Sequence, residues 1–202
     1  MSYSRPAATL KQPFLATRTL AWVLCLIATL VPLSAARAQQ SRLVLHDVHV
    51  AVDEGVYELD ARLDIELPDA ARQAIDSGLT LRLTYAIVVD RVRRFWLDAG
   101  IASLEQRYEV SYHALSQRYL MRNLNTGEQQ DFGTLDAALD RISVLRGLPV
   151  LDTALVQPGP VYEGRIRGVL DLNTAPDALG WLLFWSDNWS AESDWVTWTL
   201  RP

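Results

Sequence analysis

Arg91, Arg93 and Arg94 are packed into one short run with Trp96 just beyond them, and a further indole, Trp189, follows Asp187 and Asn188. Guanidinium groups grip planar anions through paired hydrogen bonds, and tryptophan is enriched at the centres of protein interfaces. Arg91, Arg93, Arg94, Trp96 and Trp189 are therefore the candidate binding residues, suited to an anion or an acidic partner. Against that stands a plainer reading. Asp90 and Asp98 flank the arginines, so ion pairs on a solvated face account for them more simply. Most of the tryptophans beyond residue 38 (Trp96, Trp181, Trp185, Trp189, Trp195 and Trp198) are expected in the core. Trp195 and Trp198 fall on opposite sides of a strand, which argues against one flat platform built from both.

Other chemistries lack their residues. Lys11 and Cys25 are the only lysine and cysteine, and both lie in the first 38 residues. Beyond them no thiol nucleophile, disulfide or lysine Schiff base can form, and no phosphate-loop, dinucleotide or zinc-helix motif occurs. His46 and His49 are three apart on an expected strand, which would point them to opposite faces and prevent a shared metal. His113 belongs to a turn. Asp187, Asn188, Glu192 and Asp194 offer oxygen ligands, yet their spacing matches no calcium loop. No catalytic set, metal or cofactor is expected.

Residues 1–38 read as an export signal. Arg5, Lys11 and Arg18 supply a basic start, Leu20 to Leu33 an apolar stretch, and Ala36-Arg37-Ala38 the small residues of a cleavage site before Gln39. The stretch is 14 residues long, shorter than the roughly 20 that cross a bilayer. An uncleaved anchor in the inner membrane is the rival reading. Removing the leader takes away four of the 19 basic residues and none of the 24 acids, which leaves a net charge of −9. Nucleic acid and anionic lipid reward positive charge, so both are poor partners. The remainder, 39–202, reads as a single domain without a linker.

That domain is expected to be mainly β. Between Tyr57 and Leu67, Tyr57, Leu59, Ala61, Leu63, Ile65 and Leu67 alternate with Glu58, Asp60, Arg62, Asp64 and Glu66, the pattern of a strand with one buried and one wet face. Leu43 to Val50 precedes it across the turn Asp53-Glu54-Gly55. Leu79 to Val89 alternates likewise, with a continuation through Arg91 to Trp96 as strand or bulge. Arg107 to Tyr112 and Arg118 to Leu124 form a hairpin, Asn125-Thr126-Gly127 a turn, and Tyr162 to Leu172 and Trp195 to Leu200 late strands. Two helices are expected. One runs from Asp69 to Asp76, and the other from Leu135 to Arg146, capped by Thr134 and stopped at Gly147. Asp177 to Trp185 fits a helical turn or a strand. The order favours an antiparallel β-sandwich with one or two short helices; the alternative is an α+β domain with one antiparallel sheet under a covering helix.

Several stretches carry a resemblance: Val92 to Asp98, Tyr108 to Tyr119, Phe132 to Leu139, Arg167 to Leu172, and Trp189-Ser190 with Ser193 to Trp198. In these the chain resembles an uncharacterised proteobacterial family of exported proteins, domain of unknown function 4390. The resemblance implies a Gram-negative periplasm and a gene often near a membrane sensor kinase of nitrogen-regulation type. It implies no catalytic residues. Two functions follow as expectations: a non-enzymatic periplasmic binding or accessory module for a membrane or envelope protein, such as the kinase, or a hydrolase of envelope polymers using paired carboxylates. A structural envelope role is a third. The missing chemistries favour the binding module.

Overall fold

The computed structural model describes residues 41–92, 99–173 and 189–200. Arg42–Asp53 (β1), Val56–Glu66 (β2) and Val144–Asp152 (β7) form a three-stranded antiparallel sheet in the order β1-β2-β7. The larger sheet has seven strands among the described residues. It runs Val196–Leu200 (β10), Tyr162–Asn173 (β8), Thr80–Arg91 (β3), Ala99–His113 (β4), Arg118–Asn123 (β5) and Gln129–Phe132 (β6), with Ser190–Glu192 (β9) also paired to β8. Two helices, Asp69–Asp76 (α1) and Leu135–Ile142 (α2), complete the described elements together with a single 3-10 turn, Thr153–Leu155.

The alternation in β2 becomes a two-faced strand: Tyr57, Leu59, Ala61 and Leu63 are buried while Asp60, Arg62 and Asp64 are exposed. Leu81, Leu83, Tyr85, Ile87 and Val89 of β3 face the same core from the other sheet, joined by Ile166 and Leu170 of β8. The chain is thus the expected antiparallel sandwich. The α+β alternative falls, because β1, β2 and β7 supply a second sheet. Glu54 and Gly55, at φ +45° and +85°, make the tight β1–β2 turn, and the backbone N–H and hydroxyl of Thr153 both donate to the Gly55 carbonyl.

The smaller sheet covers only part of the larger one. β1 lies against β8, β9 and β10, and β7 reaches β4, whereas α1 packs on β4 and α2 on β4, β5 and β6. One face of the large sheet is therefore roofed half by strands and half by helices. The amphipathic stripe of α2 makes its half, with Leu135, Ala138, Leu139 and Ile142 buried. The Thr134 hydroxyl accepts from the Ala137 N–H at 3.2 Å as its cap. At the other end of α2 the buried Tyr85 hydroxyl donates to the Ile142 carbonyl at 2.8 Å, tying the helix to the middle of β3.

Four expectations need correction. The second helix stops at Ile142, not Arg146, and β7 begins after the single residue Ser143. Gly147 is no helix stop; its φ of +55° serves an irregularity in β7, where its N–H donates to the Asp60 carboxylate at 2.7 Å. β4 starts at Ala99, earlier than expected, and β6 was not foreseen. Finally, His46 and His49 lie on one face. Two residues of β1, Asp47 and Val48, stand opposite the single Ala61, and this bulge shifts the side-chain alternation by one, so that His46 pairs with Arg62 and His49 with Asp60 on the outer side. The expected continuation through residues 93–96 and the ambiguous segment 177–185 lie outside the described residues, as does the leader.

The bulge gives His46 two acidic neighbours. Its Nε2 lies 3.0 Å from Asp64 and its Nδ1 3.1 Å from Asp47. The contact with Asp64 is the largest cause and raises the imidazole pKa above 6.5, desolvation opposes it, and the charges of both aspartates add to the rise. A group titrating higher when folded stabilises the fold fully below its unfolded pKa, and that contribution disappears as pH climbs through the folded value. Proton NMR titration is expected to show His46 deprotonating above pH 6.5, with a slightly lower urea midpoint at pH 8.5 than at pH 5.5. In Asp64→Asn the His46 shift should largely vanish.

Candidate functional site

The outer face of the large sheet carries rows of alternating charge. Asp171, Arg82, Glu109 and Arg122 stand side by side across β8, β3, β4 and β5. Arg82 pairs with Glu109 at 2.6 Å, Arg107 with Glu105, and Arg118 with Asp131. Arg165 reaches Asp90 at 3.2 Å and Arg167 reaches Glu192 at 2.6 Å. On this face lies Trp195, 40% exposed, with the guanidinium carbons of Arg165 and Arg167 at 5.4 and 4.8 Å from its ring centre. Cation–π attraction fixes the indole in place, and the carboxylates fix the arginines.

Trp198 points the other way. It covers Gly164 on the inner face, so closely that a Cβ on that glycine would lie 2.1 Å from the ring. The opposition of Trp195 and Trp198 is as their spacing requires. Among the candidate binding residues, Arg91 ends β3, half-buried, opposite Tyr162 and Ala99. Trp189 is half-buried and packs against the core. Arg93, Arg94 and Trp96 lie outside the described residues. Asp90 pairs across the sheet with Arg165. Sequence reasoning missed Trp195 and its arginines. The available signal was Arg165 and Arg167 at alternate positions of a strand, hence on one face.

A second feature opens where the two halves of the roof meet. A cleft of about 500 Å³ lies between β7, the end of α2 and the large sheet. Its floor is Gln106, Tyr108 and Asn123, and its walls include Asp140 and Arg141 from α2 and Arg146 to Pro149 from β7. Gln106 is 5% exposed and, with Ser193, is one of two buried polar residues among those described. It occupies an inward position of β4 opposite Tyr85, where the neighbouring inward residues are Leu104, Tyr108 and Val110. Its amide donates to Asn123 Oδ1 at 2.9 Å, and that oxygen also accepts from the N–H groups of Asn125 and Thr126. Burial pushes the Tyr108 hydroxyl pKa up, while the charge of Arg141 and the Gln106 amide pull it down.

No three His, Asp or Glu side chains converge on a possible metal position among the described residues. His113 bonds to Ser116 within its turn, at 3.0 Å. Of the acidic loop, Glu192 is the partner of Arg167, and Asp187 and Asn188 lie outside the described residues. The cleft holds one carboxylate, Asp140, where a two-carboxylate hydrolysis needs a pair. No helix among the described residues is long and apolar enough to cross a membrane.

These features define a two-layer antiparallel β protein with an arginine-flanked indole on its outer face and a polar cleft at the seam of its roof. A family profile, Domain of unknown function (DUF4390), matches residues 40–199, and the chain belongs to that family. No curated protein and no solved structure matches it.

Proposed function

We propose that the chain is an exported, non-enzymatic binding module of the periplasm, which engages a membrane or envelope protein through the outer face of its large sheet. The supporting observation is Trp195. A large, partly exposed aromatic flanked by Arg165 and Arg167, with ion pairs around it, has the anatomy of an interface anchor inside a polar rim. Its conformation is already fixed, so little ordering cost remains for association. The basic, apolar and small-residue blocks of 1–38 support export and cleavage before Gln39. A membrane sensor kinase is one partner of the right location.

The test begins with fractionation, which is expected to find a mature amino terminus at Gln39 in the periplasm. A photoreactive amino acid at position 195 should then crosslink to one envelope protein in intact cells, while the same label at Val52, exposed on β1, should not. Trp195→Ala should reduce recovery of that partner by about tenfold or more. Equal adducts from both positions, or undiminished recovery with Trp195→Ala, would overturn the reading.

A further inference from the structure

We infer that the cleft between α2 and β7 is a binding site for a small carboxylate. Three observations converge on it. The first is polarity in the wrong place for packing: Gln106 sits at an inward position of β4, beside the hydroxyl-bearing Tyr108 and against Asn123. A leucine at 106 would extend the core and close the floor. The turn after β5 uses only Asn123 Oδ1, so turn geometry explains that oxygen and not the remaining donors.

The second is charge. Arg141 and Arg146 line the cleft, both exposed, and neither makes an ion pair or side-chain hydrogen bond among the described residues. Many other arginines of the two sheets and α1 are paired: Arg72, Arg82, Arg107, Arg118, Arg165 and Arg167 each hold a carboxylate. In a chain with more acids than bases, two guanidiniums left over at one concave place are suited to an incoming anion. Their planar forks match a carboxylate, and the amides and phenol below add donors that confer orientation. Asp140 on the wall disfavours an anion that concentrates its charge on one compact group, as phosphate does, over a carboxylate whose charges are spread along a carbon chain.

The third is size and rigidity. About 500 Å³ falls within the range of small-molecule sites. The walls are held by the core: Ile142 is fully buried, its carbonyl takes the Tyr85 hydroxyl, and the Ser143 carbonyl accepts from the Leu63 N–H at 2.8 Å. The ligand is thus an organic acid of a few carbons, or a carboxylate-bearing end of a larger molecule.

Glutarate and its neutral isostere glutaramide test this, with inorganic phosphate as a third probe. Titrated into isotopically labelled protein, glutarate is expected to shift the backbone amides of Gln106, Asn123 and Val144 to Leu148 saturably, and glutaramide to leave them unmoved. Arg141→Gln and Arg146→Gln should each weaken glutarate binding by about tenfold, the scale of one charge-assisted contact. Arg118→Gln, on the outer face, should not. Because the site is separate from Trp195, Trp195→Ala should leave glutarate binding intact, so this inference and the proposed interface fail independently. Absence of saturable shifts with glutarate, shifts that survive both arginine substitutions, or phosphate binding at least as tightly would each overturn it.

Discussion

Leu63→Ala is expected to destabilise the protein by about 2–5 kcal/mol, the range for deleting a well-packed leucine. Leu63 is 1% exposed on β2 and packs across the sandwich onto Gly168 of β8, where its Cδ2 lies 3.0 Å from the place a Cβ would occupy. The glycine is the socket and the leucine the plug. Gly168→Ala alone forces an overpacked contact at this junction, costing about 1–3 kcal/mol. Combined, the two changes should cost less than the sum of their separate effects, since the added methyl enters the space the leucine vacates. Urea denaturation of the two single variants and the double variant measures this coupling. Strict additivity would mean that the sheets do not meet at these residues.

Gly164→Ala should release the last strand from the sheet. Atoms of the Trp198 ring lie 2.1 to 2.6 Å from a Cβ at position 164, too close for a small adjustment, so the ring must leave its place. Trp198 stands directly opposite Gly164 in the β8–β10 pairing and covers its bare backbone, an aromatic making good the packing that glycine lacks. Trp198 is partly buried, so displacing it forfeits part of the roughly 3–5 kcal/mol that a fully buried tryptophan contributes. β10 is five residues long, and Val196 and Leu200 are its other inward residues. The expected readout is a red shift in tryptophan fluorescence and rapid proteolysis near residues 196–200. Joint replacement Gly164→Ala with Trp198→Leu should restore part of the loss. An unshifted spectrum in Gly164→Ala would refute the arrangement.

The parts of the fold legible in the sequence are those where alternation runs unbroken. β2 and β3 are such runs, and so are the inward residues Tyr162, Ile166 and Leu170 of β8. β7 was hidden because its register slips twice against β2 and because Gly147 and Pro149 punctuate it as a loop would. The outer-face placement of His46 and His49 depends on Asp47 taking φ +53°, a choice that residue type does not announce. The cleft has a faint trace in sequence. Gln106 continues the alternation of Tyr108 and Val110 as a polar residue on the inward face, but it reads as inward only once β4 is known to begin at Ala99. Arg141 and Arg146 gain their relation from the fold alone, since one lies in the last turn of a helix and the other in a strand.

The interruptions in the outer strands also bear on self-association. An open sheet edge invites pairing with another chain, and a two-sheet protein has four of them. Here β1 is broken by its bulge at Asp47, β7 carries Pro149 and two register slips, and β6 and β10 have four and five residues. Each of these four edges among the described residues is short, bent or missing a donor, so strand addition is poorly templated along them. Backbone pairing with another chain is thereby disfavoured along these edges, and the sheet faces, where side chains set complementarity, are the better-suited surfaces for the contact proposed above.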